Sequence, residues 1–220
     1  MKPCKNILAI GAHPDDVEFG CSGTLKKHID NGDNVIVLVM SCSEVIDATT
    51  KKATRTKDIS LKEAKKAIEK ELGAKLLIAP FDDTAIPFDA KSESYIEKII
   101  NKNNIDTVYT HWAGDTHQDH INTLHSTLAA SRLVSNVYCY EQVPLPRVCI
   151  NYPVANYYVD ISETIQTKIH CSISHTSQIQ KYGAVGINLI HNIKVLAMYR
   201  GLQCNKQYAE AFVVLKSLQS

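Results

Sequence analysis

The chain has 220 residues, with 24 Lys+Arg against 23 Asp+Glu, a formal net charge of +1 and 45% hydrophobic residues. That composition excludes an intrinsically disordered or low-complexity chain, and the near-zero charge lacks the basic footprint of a dedicated nucleic-acid binder. At roughly 150 residues per domain, the length fits one domain over 1–220 with a sizeable core.

In chain order, Asn6–Gly11 (NILAIG) reads as a first strand and Thr24–Asp30 as a helix closed by Asn31-Gly32, glycine suiting the left-handed cap. Val35–Met40 (VIVLVM) is a continuous β-branched run, the pattern of a strand buried on both faces of a parallel sheet. Ser60–Leu72 reads as a Lys/Glu-rich helix ending at Gly73, Lys75–Ala79 as a third strand, and Ser92–Asn101 as a helix. Thr107–His111 is a fourth strand, Ile121–Leu133 a helix and Val137–Tyr140 a fifth strand. The alternation predicts an α/β, Rossmann-like three-layer fold, a mainly parallel sheet flanked by helices with right-handed crossovers. Beyond it, Val143–Pro153 reads as a Pro-rich loop, Tyr157–Ile161 as a short strand, Thr164–Ser177 and Ala184–Met198 as helices, and Tyr208–Leu215 as a closing strand of a smaller C-terminal extension.

The seven cysteines (4, 21, 42, 139, 149, 171 and 204) form no C-x-x-C pair, so they read as buried apolar groups of a reducing compartment. No leader and no apolar stretch of the roughly 20 residues of a membrane span is present, which predicts a cytoplasmic protein. The apolar C-terminal third offers an interface for a homo-oligomer.

Two segments concentrate the chemistry: AHPDDVE (12–18) directly after the first strand and DTHQDH (115–120) after the fourth. In a doubly wound sheet of order 3-2-1-4-5 those strands are neighbours across the switch point, where ligands bind beyond the carboxyl ends. The two loops therefore make one composite site. His13, Asp16 and His120 suit a zinc-like divalent ion held by three ligands with a fourth position open. Asp15 is placed beside it as general base, and His117 as proton donor or oxyanion stabiliser held by a carboxylate such as Asp119. Helix capping alone by Asp15 or Asp16 would leave the acid-flanked histidines unexplained. No G-x-G-x-x-G, P-loop or G-x-S-x-G motif competes. Glu44, Asp82 and Asp83 follow the second and third strands on the same side; Glu44, Asp83 and Arg200 are the candidate substrate contacts, with His175 a further candidate at the pocket mouth. Glu210, a lone charge in an apolar strand, requires a partner. His28, His125, His170 and His191 read as structural.

AHPDDVEFGCSGTL and THWAGDTHQDH resemble the PIG-L/LmbE-like family of zinc-dependent N-deacetylases. YVDISETIQTK (158–168), SHTSQ (174–178), YRG (199–201) and YAEAF (208–212) resemble its later signatures. The resemblance implies removal of an acetyl group from an N-acetylated, GlcNAc-type amino sugar. It also implies zinc on His13, Asp16 and His120, with Asp15 as base and His117 as acid or electrostatic catalyst; Fe2+ or Mn2+ would suit the same ligands. Two positions depart from the family pattern. Asp115 stands where some members have Tyr, and Ser60 stands where many have Arg three residues before the helix-two Glu, the nearest arginine being Arg55. An amidase on a thiol-sugar conjugate, a two-metal phosphoesterase and a non-catalytic binding module are the competing readings.

Overall fold

A computed structural model describes residues 4–42, 44–46, 53–143 and 154–218. The expected 143–153 loop therefore falls, beyond Val143, outside the described residues. Strands β1 (Asn6–Gly11), β2 (Asn34–Ser41), β5 (Lys75–Phe81), β6 (Thr107–Thr110) and β7 (Asn136–Tyr140) form the parallel part of a seven-stranded sheet. A short antiparallel hairpin, β3 (Val45–Ile46) and β4 (Ala53–Arg55), stands apart from it. The large sheet runs β5-β2-β1-β6-β7-β9-β8 and ends in antiparallel β9 (Ala209–Ser217) and β8 (Tyr157–Asp160). The five parallel strands thus follow the 3-2-1-4-5 order, and β1 lies against β6 with Ile7 opposite Thr107.

The sheet sits between two helical layers. Ile7 and Ala9 of β1 join Val17, Cys21 and Leu25 of α1 (Asp16–Asp30) on one face. Leu8 and Ile10 join Ile96 and Ile100 of α3 (Ala90–Lys102) and Ala130 of α4 (Gln118–Ala130) on the other. This is the two-residue period of a strand covered on both sides. Burying one such aliphatic side chain contributes about 1.5–3 kcal/mol. Helix α2 (Lys57–Lys65), capped by Thr56, continues as a π-helical segment over Lys66–Leu72. It ends at Gly73, whose φ of 82° needs no Cβ.

Several sequence expectations shift. Helix α1 begins at Asp16, eight residues before the expected Thr24. Gly20 lies inside this helix, where only a glycine fits: a Cβ there would overlap the Tyr140 ring. The expected 164–177 helix is two, α5 (Ile165–Ser174) and α6 (Thr176–Gly183), broken at His175. Helix α7 is Leu189–Gln203, not Ala184–Met198, and starts where the Asn188 side chain accepts the His191 N–H. The six described cysteines are free, four of them buried. Among the described residues no helix is long and apolar enough to cross a membrane.

Candidate active site

The first loop leaves β1 and turns at once into α1. Asp15, the residue before the helix, has φ 115° and makes no capping hydrogen bond with its side chain. A non-glycine residue in the left-handed region is strained, and such strain clusters where a side chain must be aimed. Asp16 folds back instead, its Oδ2 accepting the His13 N–H at 2.8 Å. The second loop follows β6. Its end is α4, for which His117 is the N-cap, Nδ1 accepting the Asp119 N–H at 3.3 Å. That acceptor role leaves the His117 proton on Nε2.

Neighbouring strands bring the loops together. One nitrogen of His13 and one of His120 face the Asp16 carboxylate: His13 Nδ1 lies 3.6 Å from Oδ2 and His120 Nε2 3.3 Å from Oδ1. The remaining nitrogens are backed by acids. His13 Nε2 lies 3.0 Å from Asp119 Oδ2 and 2.9 Å from Asp83 Oδ1, and His120 Nδ1 lies 2.6 Å from Asp115 Oδ2. Carboxylate-backed imidazoles presenting their other nitrogen to one point are the usual wiring of a His-bound metal. Donor atoms of His13, Asp16 and His120 all lie within 4.8 Å of one another. This donor set fits a zinc-like ion with three protein ligands and one open position.

The site's charges are coupled. Burial opposes the charge on His120, but Asp16 and Asp115 outweigh it and raise its pKa to about 9. Burial also opposes ionisation of Asp16, yet His120 and His111 hold its carboxyl well below the usual range. Burial and the adjacent Asp16 push Asp15 up to about 6, against Arg55 and His175. Burial, reinforced by His120 and His13, lowers His117, so it is neutral near pH 7.

A cavity opens over this cluster, lined by His13, Asp15, Asp16, Asp83, His117 and His120 together with Arg55, Ser60, Gln178 and Lys181. The arginine in this pocket comes from β4 rather than from α2. Its guanidinium reaches Pro14 O at 3.3 Å, Glu63 Oε2 at 3.0 Å and His175 Nδ1 at 3.2 Å. His175 in turn lies 2.7 Å from Glu18 Oε1.

Other sequence expectations are relocated. The Asp119 carboxylate holds His13 and the Thr84 and Ile86 N–H groups at 2.7 and 3.3 Å, while the hydrogen bond to His117 comes from the Asp119 backbone N–H. Asp83 contacts His13 and borders the cavity. Glu44 is exposed and is absent from the cavity's described lining, as is Asp82. Arg200 is turned to a different cleft, where it forms a two-pronged pair with Glu141 at 2.6 and 2.7 Å. Glu210 has its partner in Lys168 at 2.6 Å.

Two neighbours of the cluster were not among the expected site residues. Gln142 Nε2 lies 3.3 Å from both Asp16 O and Asp16 Oδ1. His111 is fully buried, accepts the Ala12 N–H on Nε2 at 2.9 Å and stacks on His120 with ring centroids 4.1 Å apart. Its place immediately after β6, within THWAGDTHQDH, was the available hint.

Known proteins resemble this chain. A relative named deacetylase YaiS from Escherichia coli K12, described as uncharacterized, is 33% identical over 145 residues, 62% of this chain and 74% of its own. Diacetylchitobiose deacetylase of Thermococcus kodakarensis is 25% identical over 221 residues, covering 94% of this chain and 81% of its own. The N,N'-diacetylchitobiose deacetylase structure from Pyrococcus horikoshii superposes with a TM-score of 0.77 at 23% identity over 97% of this chain and 85% of its own, a shared fold. The family model described as PIG-L, GlcNAc-PI de-N-acetylase, matches residues 8–131, more than half of the chain. That stretch carries both His/Asp loops, and the chain belongs to the PIG-L family of de-N-acetylase enzymes.

Proposed function

We propose that residues 1–220 form one metal-dependent N-deacetylase domain that hydrolyses the acetamide of an N-acetylated amino sugar of the GlcNAc type. One observation carries the reading: the metal-facing atoms of His13, Asp16 and His120 open onto the same cavity that Asp15 and His117 line. The diacetylchitobiose deacetylase relative supports the substrate class.

A zinc ion bound by His13, Asp16 and His120 would supply Lewis acidity toward the amide carbonyl and toward water. Asp15 accepts a proton from water as its oxygen bonds to the amide carbon. The strained turn aims this carboxylate, and its raised pKa makes it a competent base near neutral pH. His117 Nε2–H donates a hydrogen bond to the oxyanion that develops on the carbonyl oxygen. The C–N bond then breaks, the amine nitrogen takes the proton held by Asp15, and acetate and free amine are released.

The phosphoesterase alternative requires two ions about 3.5–4 Å apart. Among the described residues, the two possible donor groups are His13/Asp16/His120 and His13/His117/Asp119, and both use His13. One ion per chain is the arrangement this donor set favours. The test is acetate release from N-acetylglucosamine derivatives, nucleotide- and inositol-linked ones included, by zinc-loaded protein with Asp15→Asn as control. Acetate formed by the wild type and lost in the control supports the reading; no acetate from any of them, with one zinc bound, overturns the substrate class.

A further inference from the structure

We propose that Asp115 is a positioning residue that fixes His120 as a metal ligand and His117 as a donor at the same time. The inference rests on His120 being a ligand, as proposed above. Asp115 is 9% exposed, and both of its oxygens are engaged within its own loop. Oδ2 lies 2.6 Å from His120 Nδ1, and Oδ1 accepts the His117 N–H at 2.9 Å. The spacing D-x-H-x-x-H makes both contacts reachable from one turn: the carboxylate binds the backbone two residues on and the ring five residues on.

The chemistry follows from the proton. A carboxylate can only accept, so where an ion takes Nε2, the nitrogen 3.3 Å from Asp16 Oδ1, Asp115 holds the remaining His120 proton on Nδ1. The short hydrogen bond to an anion also makes the imidazole a stronger donor to a metal. The second oxygen fixes the backbone of His117 and so the start of α4, leaving the His117 ring stacked on His120 with centroids 4.7 Å apart. Asp115 stands where some family members carry Tyr. Here the carboxylate contacts the two histidines instead.

The experiment measures zinc affinity by competition with a chromogenic chelator for the wild type, Asp115→Asn and Asp115→Ala, with circular dichroism of each apoprotein as the folding check. Asp115→Asn is expected to bind zinc about 10- to 100-fold more weakly. At saturating zinc its kcat falls while KM is retained, and Asp115→Glu recovers part of the zinc affinity. Long-range 1H–15N spectra of the zinc-loaded wild type are expected to show the His120 proton on Nδ1, a measurement that does not depend on any variant folding. Wild-type zinc affinity in folded Asp115→Asn and Asp115→Ala, or a His120 proton on Nε2, overturns the inference alone. A wild-type chain that binds no zinc overturns the ligand set and this inference with it.

Discussion

Asp119 Oδ2 stands 3.0 Å from His13 Nε2, while the same carboxylate accepts the Thr84 N–H at 2.7 Å and the Ile86 N–H at 3.3 Å. One fully buried acid therefore ties a proposed ligand of the first loop to the turn after β5. Asp83, 2.9 Å from the same nitrogen, shares its single proton. Asp119→Asn is expected to weaken zinc binding by about 10- to 100-fold. Asp83→Asn is expected to do less, because Asp119 still holds the ring, and the double variant to lose more than the two effects multiplied. Zinc affinities of the four proteins form the cycle. Strict independence of the two changes would show that Asp83 does not share the His13 proton.

Asp15→Asn tests the base. Asparagine keeps the size of the side chain and removes its ability to take a proton. Zinc stoichiometry is expected to stay at the wild-type value while kcat drops by about 10²–10⁴-fold. A fully active Asp15→Asn protein would move the base elsewhere in the cavity.

Both loops were legible because chemistry and topology coincide there: His and Asp crowd the carboxyl ends of strands that the β/α alternation makes neighbours. What was not legible lies in contacts distant in sequence. The need for a glycine at position 20 has no visible reason until Tyr140, some 120 residues away, is seen against it. Arg200 reads as a substrate contact until Glu141 is found on its guanidinium. Arg55 replaces an expected arginine on α2 from a separate hairpin, which no local pattern announces. Glu210 was readable as needing a partner, because a lone charge in an apolar strand cannot go unpaired, but which residue supplied it was not.

That partner carries a stability prediction. Glu210 and Lys168 are both nearly fully buried, and Glu210 also accepts the Gly23 and Thr24 N–H groups at 3.0 and 2.7 Å. Glu210→Ala leaves the buried Lys168 ammonium with backbone carbonyls but no counter-charge and takes an acceptor from the Gly23 and Thr24 amides, and is expected to cost about 3–5 kcal/mol. Lys168→Met with Glu210→Gln removes both charges and is expected to restore part of the loss. Urea unfolding of the three proteins measures it, and a Glu210→Ala midpoint equal to wild type would contradict the pairing.

His28, outside the candidate metal site, is expected to give the fold an acid limb. Its Nδ1 lies 2.6 Å from Asp33 Oδ2 and its Nε2 3.0 Å from the Tyr109 hydroxyl. A neutral ring satisfies both contacts, donating to Asp33 and accepting from Tyr109. Burial lowers the His28 pKa below its ordinary 6.5, outweighing the opposing pull of Asp33. Below pH 6.5 the unfolded chain therefore binds this proton before the folded one does, and stability falls as the pH drops. Above 6.5 both states are neutral at His28 and it contributes no slope. His28→Gln removes the titration, so the stability lost between pH 7.5 and pH 5 should be smaller in the variant than in the wild type. Unfolding free energies at the two pH values decide the point, and equal losses in both proteins would assign the acid limb to other groups.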